Sequence, residues 1–121
     1  MADTKIVGNN GEDYAAAYLE AAGYKIKERQ FRCKIGEIDI IAEKDEEIVF
    51  VEVKTRRSGK YGAPALAVNY YKRRKIINTA FLYVQNKGLE DKNFRFDVLE
   101  VYADRDGAWA VRAIENAFEV D

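Results

Sequence analysis

Apolar residues recur at helical spacing between about Asn9 and Gly23, where Ala15, Ala16, Leu19 and Ala22 form one stripe. Asn9 stands as an N-cap with Glu12 three residues on, a capping-box spacing, and Gly23 stops the segment. A helix is predicted, and Glu12 shares the stripe that faces the core. From Tyr24 to Phe31 apolar and charged side chains partly alternate, as in a strand, and Arg32 to Gly36 supply a loop. Two β-branched runs follow, Glu37 to Ala42 and Ile48 to Lys54, around the polar Glu43 to Glu47, and predict a hairpin. Thr55 to Leu66, with Gly59, Gly62 and Pro64, reads as a loop. A second helix is predicted from about Asn69 to Asn86, burying Ile76, Ile77, Ala80, Phe81 and Val84 and ending near Gly88. Strands at Phe94 to Tyr102 and Trp109 to Ile114 flank the turn Asp104 to Gly107. The order α-β-β-β-α-β-β predicts an α/β fold, α+β by some criteria, with a mixed sheet flanked by helices.

Chemistry enters with the hairpin. Strand alternation sends Val49, Val51 and Val53 to one face and Ile48, Phe50, Glu52 and Lys54 to the other, so a carboxylate and an amine lie side by side. Pairing Glu43 with Ile48 across the loop sets Asp39 opposite Glu52. A loop one residue longer would break that register. Two carboxylates at about 4 Å repel by roughly 4 kcal/mol at an intermediate dielectric. A hard divalent cation offsets the repulsion, since Mg²⁺ binds through one or two carboxylates and waters. Lys54 could orient and help deprotonate a metal-bound water, Glu12 could support the site, and the set suits phosphodiester hydrolysis. The competing structural reading is an ion pair of Lys54 with Glu52 or Asp39 on a half-solvated face. The acidic-x-Lys pattern also occurs at Asp3-Thr4-Lys5 and Glu90-Asp91-Lys92, but only the middle copy lies between valines on a core strand.

Composition narrows the field. With 121 residues, 48% of them hydrophobic, the chain is expected to form one domain, 1–121, and can bury a core without disulfides or a structural metal. Cys33 alone can make neither an internal disulfide nor a four-ligand zinc site, and a reducing cytoplasm fits best. The sequence has no histidine, which excludes Ser-His-Asp and Cys-His nucleophiles and leaves carboxylates and lysine to do any chemistry. No run of 18 apolar residues occurs and Met1 to Val7 lacks the apolar core of a signal peptide, so neither a membrane partner nor export is expected.

The net charge of -1 conceals a basic block. From Lys54 to Lys75 every charged residue is a cation: Lys54, Arg56, Arg57, Lys60, Lys72, Arg73, Arg74 and Lys75. Arg56, Arg57 and Lys60 follow the second hairpin strand, while Lys72, Arg73 and Lys75 open the second helix, where cations oppose the macrodipole and a phosphate would relieve the conflict. These six are the candidate nucleic-acid contacts; a solvated basic surface is the alternative. Tyr61, Tyr70 and Tyr71 could stack on bases, although packing is the plainer role.

Several motifs together resemble the bacterial YraN family: Asn10-Gly11-Glu12 with Ala15 and Ala16, Gly36-Glu37-Ile38-Asp39-Ile40-Ile41-Ala42, Val49-Phe50-Val51-Glu52-Val53-Lys54-Thr55-Arg56, Gly62 with Pro64, and Ala67-Val68 before Lys72. That family is placed among the PD-(D/E)xK, restriction-endonuclease-like folds and is similar to archaeal Holliday-junction resolvases. The resemblance implies a restriction-endonuclease-like core and a metal-dependent nuclease acting on DNA, at branched or junction structures. It places Glu12, Asp39, Glu52 and Lys54 at the catalytic positions, with Asp39 and Glu52 holding Mg²⁺ or Mn²⁺. Ile38-Asp39 stands where the superfamily has Pro-Asp, and the carboxylate is kept. Resolvase-like action needs two active sites and hence a homodimer. The alternatives are a noncatalytic nucleic-acid-binding module that keeps the fold and a protein-interaction scaffold.

Overall fold

The computed structural model describes residues 11–57, 69–103 and 106–119, Arg57 by its backbone alone. The Asn9 cap, the Gly59 to Pro64 loop, Lys60 and Tyr61 lie outside the described residues. The elements are α1 (Gly11–Ala21), β1 (Lys25–Arg32), β2 (Glu37–Lys44), β3 (Glu47–Arg57), α2 (Tyr70–Lys87), β4 (Asn93–Ala103) and β5 (Trp109–Ile114). One five-stranded sheet runs β1-β2-β3-β4-β5. It is mixed: β3 and β4 are parallel, joined through α2, and the other neighbours are antiparallel.

Each helix covers one face of this sheet. Ala15, Ala16 and Leu19 of α1 pack on Ile40, Ala42, Val49, Val51, Leu99 and Val101. Ile76, Ile77, Ala80, Tyr83 and Val84 of α2 pack on Ile38, Ile41, Ile48, Phe50 and Phe96. Phe81, expected inside, is 49% exposed, and Tyr83 takes its place. The stripe at 76, 77, 80, 83 and 84 is the one that meets the sheet, and Phe81 falls at its border.

Local devices fix these placements. Asp45 and Glu46 have φ of 54° and 69°, the doubly positive pattern of a type I′ turn, and Lys44 pairs directly with Glu47. The register follows, with Glu43 opposite Ile48 as expected, through a tighter tip than the predicted loop. Helix α2 begins at Asn69, whose side chain accepts the Lys72 N–H, and ends at Gly88 in the left-handed region. At the start of α1, a Cβ on Gly11 would collide with the Thr55 side chain, so the glycine permits the close approach of helix and β3. No helix among the described residues is long and apolar enough to cross a membrane.

Candidate active site

At the N-terminal end of α2 the sheet and helix enclose a cavity of about 330 Å³ lined by Gly36, Glu37, Asp39, Glu52, Lys72, Lys75 and Ile76. Glu52 comes from β3 on the face that carries Ile48 and Phe50, and only 8% of the residue is exposed. Asp39 comes from β2, where the hairpin opens. The paired ladder ends at Ile40 opposite Val51, one step short of the expected pairing, and the Asp39 carboxylate accepts the Val53 N–H at 2.8 Å. Strict alternation also fails here, because Ile38 packs beneath α2 whereas Ile40 packs beneath α1. The partner strand is irregular at the same level: Gln30, between the pairs Arg29 to Ile40 and Phe31 to Ile38, has φ of 51°. The two carboxylates thus border one cavity, through a local twist that simple alternation does not contain.

Their electrostatics are those of a crowded acidic site. Burial pushes the Asp39 carboxyl up to about 6, the charges of Glu52, Glu12 and Glu37 add to the rise, and the Val53 N–H opposes it. Lys72 Nζ meets Glu52 Oε2 at 2.7 Å. That contact holds the Lys72 ammonium above its ordinary range, against partial burial and with help from Asp39 and Glu37. Glu52 therefore lies against the opening turn of α2, which has no acidic residue of its own, and its charge relieves the conflict between Lys72 and the helix dipole. An ammonium already occupies a cation position between strand carboxylates and helix. Asp39 and Glu52 fit a divalent ion that uses one or two carboxylates, although no cluster of three or more His, Cys, Asp or Glu able to hold a metal occurs among the described residues.

The remaining candidates lie around this cavity at different removes. Glu12, on the second residue of α1, accepts from Arg29 Nε at 3.1 Å and Gln30 Nε2 at 3.4 Å, and its charge reaches Asp39 without lining the cavity. Lys54 shares the Glu52 face by strand alternation and is half-buried, but it does not line the cavity. The expected partner exchange is therefore different: Lys72, not Lys54, pairs with Glu52. Arg56 lies against the buried Glu100, with Nε 3.2 Å from Oε2. Lys75 is exposed and lines the cavity, and Arg73 is half-buried. Tyr70 and Tyr71 are exposed, 53% and 78%. Lys60 is outside the described residues, and Arg57 ends β3. Glu37 and Gly36 were missed. The Glu37-x-Asp39 spacing could have pointed to the first, and the second admits the β1–β2 loop to within 3.0 Å of the Thr79 hydroxyl, measured from where its Cβ would stand.

Residues 11–101, which span every described residue of this site, match the family described as "Uncharacterised protein family UPF0102". The chain belongs to the UPF0102 family. It is 48% identical to the UPF0102 protein of Geobacter sulfurreducens over 116 residues, 96% of this chain and 91% of that one. It is 50% identical to the UPF0102 protein of Syntrophus aciditrophicus over 113 residues, covering 93% and 88% of the two chains. The UPF0102 protein of Clostridium acetobutylicum is 48% identical over 117 residues, 96% of either chain. UPF0102 is the YraN family indicated by the sequence motifs, and the match begins at Gly11 of α1 and ends at Val101 of β4.

Proposed function

We propose that the protein is a metal-dependent nuclease that hydrolyses DNA phosphodiester bonds, at branched or junction structures. The observation that carries this reading is the shared cavity of Asp39 and Glu52, with a carboxyl raised by burial and by its acidic neighbours and a lysine already drawn to the pair. Asp39 and Glu52 would hold Mg²⁺ or Mn²⁺. Such an ion, when bound, supplies a Lewis acid for the phosphoryl oxygens and makes a coordinated water more acidic. The ionised carboxylates fix the cation, and the Val53 N–H keeps the Asp39 oxygens turned toward the cavity. Lys54 stabilises negative charge developing on the phosphoryl group and helps activate the water. Glu12 adds negative charge that favours a cation in the cavity and orders Arg29 and Gln30 beside it. The water attacks phosphorus as the bond to the leaving oxygen breaks, the water's proton passes to solvent, the leaving oxygen takes one from solvent, and no covalent enzyme intermediate is needed.

Arg56, Arg57, Lys60, Lys72, Arg73 and Lys75 are proposed to grip the backbone phosphates, which concentrates positive charge around the acidic cavity. Paired incision of a junction requires two such cavities, so a homodimer belongs to the proposal. The test is cleavage of junction, flap, duplex and single-stranded DNA with Mg²⁺ or Mn²⁺, by the unaltered protein and by the Glu52→Ala, Lys54→Ala double variant. Metal-dependent cleavage that falls at least 100-fold in the double variant is expected. Activity unchanged in that variant rejects the assignment. Salt-sensitive binding without cleavage by the unaltered protein, retained in EDTA and on loss of Asp39, points instead to a noncatalytic nucleic-acid-binding module.

A further inference from the structure

Two residues beyond Glu52 on the same sheet face, a second charged group spans three strands. In the parallel β3–β4 register Lys54 stands beside Glu100, and in the antiparallel β4–β5 register Glu100 stands beside Arg112. Arg56, one alternation further along β3, reaches back to the same carboxylate. Glu100 is 1% exposed. Its Oε2 lies 3.2 Å from Arg56 Nε, and its Oε1 accepts the Tyr102 hydroxyl at 2.9 Å and lies 3.7 Å from Arg112 Nη1.

One buried carboxylate therefore anchors cations contributed by two strands. Arg56 and Arg112 bring two positive charges to one negative charge, and Lys54 stands beside Glu100 in the strand register. Each guanidinium offers five N–H donors; Glu100 accepts from Nε of Arg56, while Arg112 lies within ion-pair distance and hydrogen-bonds the Tyr102 side chain. The Arg112 side chain is 61% exposed, whereas that of Arg56 is 20% exposed and held in place. The group is thus a preorganised cluster of donors with surplus positive charge. Its level on β3, that of Lys54, lies two positions beyond Glu52, about 7 Å along the strand, comparable to the spacing of neighbouring phosphates on one nucleic-acid strand.

We propose that Arg56 and Arg112, gathered over buried Glu100, form a phosphate-binding subsite that seats the backbone phosphate adjacent to the scissile one, with Lys54 standing between that subsite and the acidic cavity. The proposal rests on the nuclease reading for its ligand and extends the nucleic-acid contacts to β5. It gives Glu100 the role of anchor: its charge draws two arginines from different strands toward one position, and Tyr102 completes its hydrogen bonding. Arginine suits the task because its planar fork presents paired donors to phosphate oxygens.

The test is fluorescence anisotropy of a labelled DNA duplex in EDTA over a series of salt concentrations, so that binding is read without cleavage. Arg112→Ala is compared with the unaltered protein, with Arg112→Lys and with Lys87→Ala, an exposed cation at the far end of α2. The expected result is about fivefold to tenfold weaker binding in Arg112→Ala with the salt slope reduced by about one, partial recovery in Arg112→Lys, and no change in Lys87→Ala. Arg112→Ala that folds, by its thermal melt, and binds with unaltered affinity and slope overturns the subsite while leaving the nuclease reading in place. An unaltered protein that neither binds nor cuts DNA overturns both.

Discussion

The Asp39 carboxylate and the Val53 N–H meet at 2.8 Å, one step past the last residue pair of the β2–β3 hairpin. A side chain takes the donor that a ladder carbonyl would otherwise receive. The strands can therefore part at the cavity mouth without leaving this backbone group orphaned. The same contact turns Asp39 toward Glu52, so the opening of the hairpin and the crowding of the acids have one origin.

Burial of the Asp39 carboxyl, with that crowding, costs the fold stability. The folded Asp39 carboxyl titrates near 6 against an ordinary 3.8. As pH rises between those values the unfolded chain releases its proton first, the folded state binds more protons, and stability falls. The penalty is fully present above about pH 6 and absent below about pH 4. Asp39→Asn keeps an oxygen for the Val53 N–H and removes the charge. Urea unfolding is expected to show this variant more stable than the unaltered protein by about 1–2 kcal/mol at pH 7.5 and equal to it at pH 3.5. Equal stability at pH 7.5 would contradict the account.

Lys72 and a divalent ion compete for Glu52. Replacing Lys72 by Met leaves a nearly buried carboxylate without its ammonium, for which a loss of about 1–2 kcal/mol is expected in EDTA. Millimolar Mn²⁺ should then raise Tm more in Lys72→Met than in the unaltered protein, because the ion no longer has to displace a resident cation. The comparison is a pair of thermal melts for each protein, with and without Mn²⁺. Identical Mn²⁺ shifts would show that Lys72 and the ion do not share Glu52.

Gly11 is tied to Thr55 by space alone. Gly11→Ala drives a methyl into the Thr55 side chain, and a net loss of about 1–2 kcal/mol is expected after the gain in helix propensity. Thr55→Ala should recover much of that loss, visible as a coupling energy in a double-mutant cycle of urea unfolding. Independent, additive effects would mean that α1 can shift away from β3 at little cost.

How far the sequence reveals all this depends on the range of each interaction. Helix α2 and its Gly88 stop, the hairpin pairing of Glu43 with Ile48, and the final strand Trp109–Ile114 are local patterns, and each is legible. Phe81 was misplaced because the 76, 77, 80, 84 stripe admits either 81 or 83, and only the packing of α2 on Phe50 and Phe31 selects Tyr83. The twist at Asp39 escapes alternation because its irregular neighbour, Gln30, belongs to another strand. The pairing of Lys72 with Glu52 was hidden for the same reason: 20 positions separate them, and Lys54 stood closer in sequence. Asp39 and Glu52 were readable as a pair because both belong to one hairpin, whereas the Arg112 contact to Glu100 needs β5 in place.

The two left-handed residues at Asp45 and Glu46 act as an indexing stop for an acidic cavity far from them. Glu52 comes six positions after Glu46, about 20 Å of extended chain, yet adding one residue to that tip could slide β3 against β2 by a notch and send Glu52 to the opposite side. Mutational tolerance at this solvent-facing corner should accordingly be judged by chain length more than by side-chain identity.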